Sequence, residues 1–253
     1  MGEIVGLIPA AGIAKRLGNL SQSKEILPVV FGSEQAGAPV FAKPACHHLL
    51  EGFSTAGVAK AFIVIRAGKW DIPEFLAQNP VPGVDLSYIV IEDSAGVPWT
   101  LDRAYAFVSE SNVVMGFPDI LVEPATFFGQ IVEELRAGTS DVVLGVMPTS
   151  SPSKVDVVEI TEDGKVIGIR PKPESLSSAK AWIAAAWRPS FTEYIHTFLA
   201  DNPIDRSSER ELYIGDIVAA SLTELNVSAM ECDEGRFIDI GTPEDLAAVT
   251  ADV

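Results

Sequence analysis

Cysteine is nearly missing from this chain: Cys46 and Cys232 are the only two in 253 residues. Two thiols cannot build a disulfide framework or a four-cysteine zinc site, and their scarcity points to a reducing compartment. Basic side chains are scarce as well, 18 Lys+Arg against 35 Asp+Glu, a formal net charge of −17. A surface that acidic repels phosphate backbones, which argues against nucleic-acid binding as the main activity. Of the three histidines, His47 and His48 are adjacent and lack a spaced third ligand, which speaks against a zinc centre. No apolar run reaches the ~18 residues of a membrane span. The start, Met1-Gly2-Glu3-Ile4, has no basic secretory n-region. The expectation is a cytoplasmic protein with neither membrane nor nucleic acid as partner.

What is present is a hydrophobic content of 47%, arranged as short apolar runs alternating with helix-like stretches. Residues 4–9, 61–65, 86–91, 112–117 and 141–147 read as strands. Residues 44–56, 71–78, 100–109 and 124–136 have helical spacing. That alternation predicts an α/β fold, a Rossmann-like three-layer sandwich with a mainly parallel mixed sheet. The pattern then changes: 156–160 and 166–169 alternate around Asp163-Gly164, the signature of an added β-hairpin. Residues 182–187 and 227–232 follow as strands, with helices over 190–199, 212–225 and 243–249. We read 1–253 as one domain, with an α/β first half over 1–150 and a mixed second half over 151–253.

Four segments carry candidate chemistry. Ile8-Pro9-Ala10-Ala11-Gly12-Ile13-Ala14-Lys15-Arg16-Leu17 opens a buried strand into a small-residue loop with two cations, and Lys24 follows in Ser23-Lys24-Glu25-Ile26-Leu27-Pro28. Small residues let backbone N–H groups approach a bulky anion, but a strand–turn–helix with solvated lysines has the same spacing. The loop is neither a Walker A sequence nor a G-x-G-x-x-G fingerprint. In Met115-Gly116-Phe117-Pro118-Asp119 an acid follows an apolar strand, where open α/β sheets bind ligands. It is a hard-oxygen ligand suited to Mg²⁺, or a turn aspartate favoured by Pro118. Asp239 sits between two isoleucines ahead of Gly241-Thr242-Pro243, either as the polar face of an edge strand or as a second metal ligand. Arg170-Pro171-Lys172-Pro173 holds a lysine between stiff prolines.

In this order, the segments resemble the sugar-phosphate nucleotidyltransferases, or nucleotide-sugar pyrophosphorylases, which include glucose-1-phosphate thymidylyltransferases and UTP–glucose-1-phosphate uridylyltransferases. The opening loop and Ile238-Asp239-Ile240-Gly241-Thr242-Pro243-Glu244-Asp245 are the most specific parts, and Ser23–Pro28 resembles the uridylyltransferase branch. The resemblance implies an enzyme that transfers NMP from an NTP, dTTP or UTP foremost, to a sugar 1-phosphate or related phosphomonoester. Pyrophosphate is released and Mg²⁺ is the cofactor. It implies that Ala10, Ala11, Gly12, Ala14 and Lys15 wrap the triphosphate while Gly96 and Thr100 lie at the base. Arg16, Lys24 and Asp119 would be catalytic, and Asp119 with Asp239 would hold the metal. Lys172, Glu159 and Trp182 would face the acceptor. A homo-oligomer is compatible with it. Three sugar-facing positions depart from the family pattern: Val155-Asp156 for Tyr-Gly, Pro171 for Glu, and the strand Trp182–Trp187. They imply a rebuilt acceptor pocket. A non-catalytic nucleotide-sugar sensor on the same fold is the alternative, and the joint presence of Arg16, Lys24 and both aspartates favours the enzyme. A glycosyltransferase ranks low, because Phe117-Pro118-Asp119 supplies one acid where that class has Asp-x-Asp.

Overall fold

The computed structural model describes residues 2–18, 20–32, 42–171, 173, 179–204 and 211–250. The first half builds β1 (Ile4–Ala10), β2 (Pro28–Val29), β3 (Lys43–Pro44), α1 (Ala45–Thr55), β4 (Lys60–Arg66), α2 (Asp71–Gln78) and β5 (Asp85–Ile91). Then come α3 (Val97–Asp102), α4 (Tyr105–Val108), β6 (Asn112–Gly116), β7 (Ile120–Glu123), α5 (Phe127–Ala137) and β8 (Val142–Thr149). The hairpin β9 (Asp156–Ile160) and β10 (Val166–Pro171) leads to β11 (Ala179–Trp187), α6 (Pro189–Asp201) and α7 (Ile214–Ser221). The described chain ends with β12 (Val227–Glu231), β13 (Arg236–Asp239) and α8 (Pro243–Thr250).

One nine-stranded sheet organises the molecule. Strands β5, β4, β1 and β6 run side by side and parallel. Antiparallel β11 joins β6 to β8, and β12 lies parallel to β8. Where β6 stops at Gly116, opposite Ala184, β9 takes over the same edge of β11 at Ala181 and carries β10 with it. Only β10 and β11 run against the other seven strands, so the sheet is mixed but mainly parallel.

Both faces of the sheet are covered, which is why its strands read as continuous apolar runs. Val143 and Met147 of β8 pack with Leu49 and Phe53 of α1 and with Phe127, Phe128 and Ile131 of α5. Val142, Leu144 and Val146 face the other layer, with Leu101 of α3, Val108 of α4, Phe191 and Ile195 of α6, and Ile217 of α7. On the α1/α5 side the helices lie almost on the sheet backbone. A Cβ on Gly116 would stand 2.4 Å from Leu49 Cδ1, and one on Gly145 2.3 Å from Ile131 Cδ1.

The structure differs from the sequence expectation in four places. The helix expected over 100–109 is two, because Pro98 in the first turn starts α3 at Gly96, and a tight Ala104 N–H bond to the Leu101 carbonyl (3.0 Å) turns the chain before α4. The helix expected over 212–225 is cut to Ile214–Ser221: Asp216 accepts from the Tyr213 N–H at 2.9 Å, and the chain turns after Ser221. Helix α5 starts at Phe127 after a turn closed by the Phe127 N–H donating to the Pro124 carbonyl (3.0 Å), and 120–123, where no element was expected, pair with β13 as β7. The two-residue strands β2 and β3 were too short to show a period. Among the described residues no helix is long and apolar enough to cross a membrane.

Candidate active site

The connection from β1 towards β4 and the later return to β6 place neighbours on both sides of β1, so the loops leaving the carboxyl ends of these strands diverge. A crevice opens there, as expected at such a switch point. It is a cleft of about 710 Å³, lined by Ala11 to Arg16 after β1, Arg66 at the end of β4, Asp93 to Val97 and Thr100 after β5, and Phe117 and Asp119 after β6. Lys24, Glu25, Glu211 and Gly241 complete the wall. Lys15, Arg16, Lys24 and Arg66 bring four cations into the lining, beside the acids Glu25, Asp93, Asp119 and Glu211, on a chain that is strongly acidic as a whole.

The loop after β1 forms a single 3-10 turn over Lys15–Leu17, entered through Ala14 at φ 49°, ψ 36°. A left-handed residue with a Cβ costs roughly 1–2 kcal/mol, so the loop holds a conformation that glycine would adopt more easily. Opposite, Ser94 and Thr100 lock the loop after β5. Their hydroxyls lie 2.6 Å apart, and Thr100 donates to the Gly96 carbonyl at 3.0 Å. Gly96 has φ +139°, and a Cβ there would lie 3.0 Å from Glu211 Oε1. That position takes a residue without a side chain.

Asp119 and Asp239 come from distant sequence but adjoining backbone. β7 starts one residue after Asp119 and pairs antiparallel with β13, which ends at Asp239, and the Ile240 N–H donates to the Asp119 carbonyl at 3.0 Å. Burial and the neighbouring Asp119 charge push the Asp239 carboxyl above its usual range, against the Gly241 N–H bond and the charges of Lys24 and Arg16. Lys24 forms an ion pair with Asp119, both about one-seventh exposed. Burial alone would lower the Lys24 ammonium, but the charge and hydrogen bond of Asp119, with the charges of Glu25 and Asp239, outweigh it and push it up. Arg16 closes the group: a Cβ on Gly241 would lie 2.8 Å from both Arg16 Nη2 and Asp239 Oδ1. Thr242 caps α8 just beyond, its hydroxyl accepting from the Asp245 N–H at 3.3 Å.

Of the residues singled out from sequence, Ala11, Gly12, Ala14, Lys15, Arg16, Lys24, Gly96, Thr100 and Asp119 line this one cleft. Asp239 stands beside Asp119. Ala10 is buried behind the wall, where its carbonyl accepts from Lys69 Nζ at 2.9 Å. Trp182 is also buried, its ring centroid 6.3 Å from that of the cleft residue Phe117. Glu159 is not brought here. It pairs with Arg170 on the hairpin and borders a separate hollow with Lys180 and Glu231. Lys172 lies outside the described residues. Sequence reading passed over Arg66, Asp93, Glu211 and the buried Glu25–Lys69 pair. Arg66 could have been found, since it follows directly on an expected strand end.

The donor set suits a cation shared with a ligand. Among the described residues no cluster of three or more His, Cys, Asp or Glu side chains forms a self-sufficient metal cage. Two adjoining carboxylates at a cleft with room for a phosphate ligand match the way Mg²⁺ is commonly held, by one or two protein carboxylates plus substrate phosphates.

Comparison with known proteins places the chain among relatives named as nucleotidyltransferases. A low-salt glycan biosynthesis nucleotidyltransferase of Haloferax volcanii is 22% identical over 221 residues, 87% of this chain and 60% of that protein. The chain spans about three fifths of the length of this relative and of two thymidylyltransferases of Streptomyces that it also matches. A Bacillus anthracis protein assigned as a glucose-1-phosphate thymidylyltransferase, solved with sucrose, superposes with a TM-score of 0.80 at 22% identity, covering 99% of this chain and 96% of its own. A UDP-glucose pyrophosphorylase complexed with UDP-glucose gives 0.77 at 19% identity, covering 97% and 95%. At these identities the structures speak for the fold. The family model for nucleotidyl transferases matches residues 5–253, and the chain belongs to that family.

Proposed function

We propose that this chain transfers a nucleoside monophosphate from an NTP, dTTP or UTP foremost, to a sugar 1-phosphate or closely related phosphomonoester. The observation that carries the reading is the meeting of Lys24, Asp119 and Asp239 with Arg16, the last residue of the small-residue loop 11–16 that lines the cleft. The names of the relatives, glycan-building nucleotidyltransferases and thymidylyltransferases among them, support the same substrate classes.

In this reaction an acceptor phosphate oxygen forms a bond to the α-phosphorus, the bond from that phosphorus to the bridging oxygen breaks, and pyrophosphate leaves with the electron pair. The attacking oxygen is already ionised, so no general base is required. Catalysis then consists of holding two anions in line and neutralising charge. Loop 11–16 grips the polyphosphate through backbone N–H groups. Arg16 follows the departing pyrophosphate, and Lys24 sits where charge gathers at the reacting centre. Asp119 and Asp239 would hold Mg²⁺, which when bound polarises phosphoryl oxygens and offsets their charge. The glycine of Gly96 and the bonds of Ser94 and Thr100 fix a loop suited to the base.

The test is a matrix of NTPs against sugar 1-phosphates with Mg²⁺ present, read by released pyrophosphate and by the nucleotide-sugar product. The expected result is turnover with dTTP or UTP and at least one sugar 1-phosphate. Nucleotide binding without pyrophosphate release from any pair would overturn the reading in favour of a regulatory binder.

A further inference from the structure

We propose that Glu25 and Lys69 are positioning residues: a buried ion pair that sets where Lys24 stands relative to the phosphate-gripping loop. This inference rests on the proposed reaction for its kinetic readout, but its geometry stands alone.

Three loops meet at this pair. Glu25 is 1% exposed, in the 3-10 turn Lys24–Ile26. Its Oε1 lies 2.6 Å from Lys69 Nζ, on the loop after β4, and the Lys69 side chain is itself only 12% exposed. The same ammonium donates to the carbonyl of Ala10 at 2.9 Å, the last residue of β1 and the root of loop 11–16. One cation therefore joins the carboxyl ends of β1 and β4 to the turn that carries Lys24. The turn is pinned on its other side too, where Ser23 donates from its backbone N–H (2.6 Å) and its hydroxyl (2.8 Å) to the carboxylate of Asp71, at the start of α2.

Such a tie serves the site more than the core. Lys24 and Glu25 are consecutive on a turn of about 120° per residue, so their side chains diverge. Lys24 reaches Asp119 in the cleft, while Glu25 is drawn under the strand ends. A lysine stem has four rotatable carbons, and what limits its reach is where its Cα is held. A buried ion pair is an expensive way to gain stability, since apolar replacements of similar volume commonly do as well. It does fix geometry, because the fork between Ala10 and Glu25 leaves the ammonium little freedom. The Oε2 of Glu25 has no partner among the described residues, so the tie to Lys69 is the main restraint on this carboxylate.

The experiment uses the full chain and compares Lys69→Met with the paired replacement Glu25→Leu/Lys69→Met, which removes both charges together. Three quantities are read: thermal midpoint, kcat and KM for pyrophosphate release, and labelling of Lys24 by an amine-reactive reagent relative to exposed Lys165 on the hairpin turn. The single variant leaves a buried carboxylate unpaired and loses thermal stability. The paired variant regains the midpoint, yet its kcat stays at least roughly tenfold low, with KM for the NTP changed less, the effect expected of a misplaced group. Lys24 is labelled several-fold faster in it than in Glu25→Gln, which removes the neighbouring charge that helps to keep Lys24 protonated but retains a hydrogen-bonding tie to Lys69. Recovery of midpoint and kcat together, with Lys24 labelling no faster than in Glu25→Gln, would overturn the proposal and make the pair a packing element only. If the wild-type chain turned over no substrate pair, the reading of the reaction would fall, and the labelling ratio would still decide whether the pair holds Lys24.

Discussion

Alanine at position 241 perturbs the site through one methyl group. Its Cβ would lie 2.8 Å from Arg16 Nη2 and 2.8 Å from Asp239 Oδ1, whereas comfortable contact begins at about 3.5 Å. One or both functional groups must retreat by roughly 0.7 Å, and the flexible guanidinium retreats first. A misplacement of about 1 Å at a reacting centre can cost on the order of 10²-fold. We therefore expect kcat to fall between about tenfold and 100-fold, or roughly 1.4–2.7 kcal/mol of barrier. Stability should hardly change: Gly241 does not sit at positive φ, so alanine fits the backbone and even restricts the unfolded chain slightly. The assay is steady-state pyrophosphate release beside denaturant unfolding, for Gly241→Ala alone and in an Arg16→Ala background, where the methyl should cost less. A folded Gly241→Ala protein with kcat within about threefold of wild type would refute the placement of Arg16 and Asp239 around this glycine.

Other outcomes follow from the same geometry. Asp119→Ala should reduce turnover by about 10²–10³ while far-ultraviolet dichroism stays native. Normal turnover by a folded protein would remove Asp119 from the site. His48 makes stability depend on pH. Burial, helped by the positive charge of Lys43, depresses its folded pKa from 6.5 to about 3, and its Nε2 is buried without a partner among the described residues. Below 6.5 the unfolded chain takes up a proton that the folded chain refuses, so stability falls as pH drops from about 6.5 towards 3. Between pH 7 and pH 5 this contributes a loss of about 2 kcal/mol, measurable by urea unfolding and absent in His48→Leu. An equal pH slope in wild type and variant would contradict it.

How far the sequence revealed this arrangement depends on the range of the forces involved. Strands such as 142–149 were legible as short continuous apolar runs and helices such as 71–78 by their local period, and 71–78 was placed to the residue. β7 was not, because Ile120–Glu123 becomes a strand only through pairing with β13 more than a hundred residues later. The same divide runs through the site. The loop 10–17, Lys24, Asp119 and Asp239 stood out singly because charges or small residues punctuate apolar runs there. Their convergence is tertiary. The Glu25–Lys69 pair was invisible for that reason: each residue looks like an ordinary surface charge, and only the packing of α2 and its preceding loop beneath the Lys24 turn makes both buried. Trp182 shows the opposite case. From sequence it suited core packing or the lining of a pocket, and the fold buries it beside Phe117.

The measurement that bears most directly on the account is a crystal structure of the chain with a non-hydrolysable UTP analogue and Mn²⁺, whose anomalous signal locates the cation without ambiguity. A single peak is expected beside Asp119, Asp239 and the α-phosphate, with Lys24 moved off Asp119 onto phosphate and loop 11–16 around the β- and γ-phosphates. A cation bound away from either aspartate, or a nucleotide lodged outside the cleft between loops 11–16 and 93–97, would contradict it.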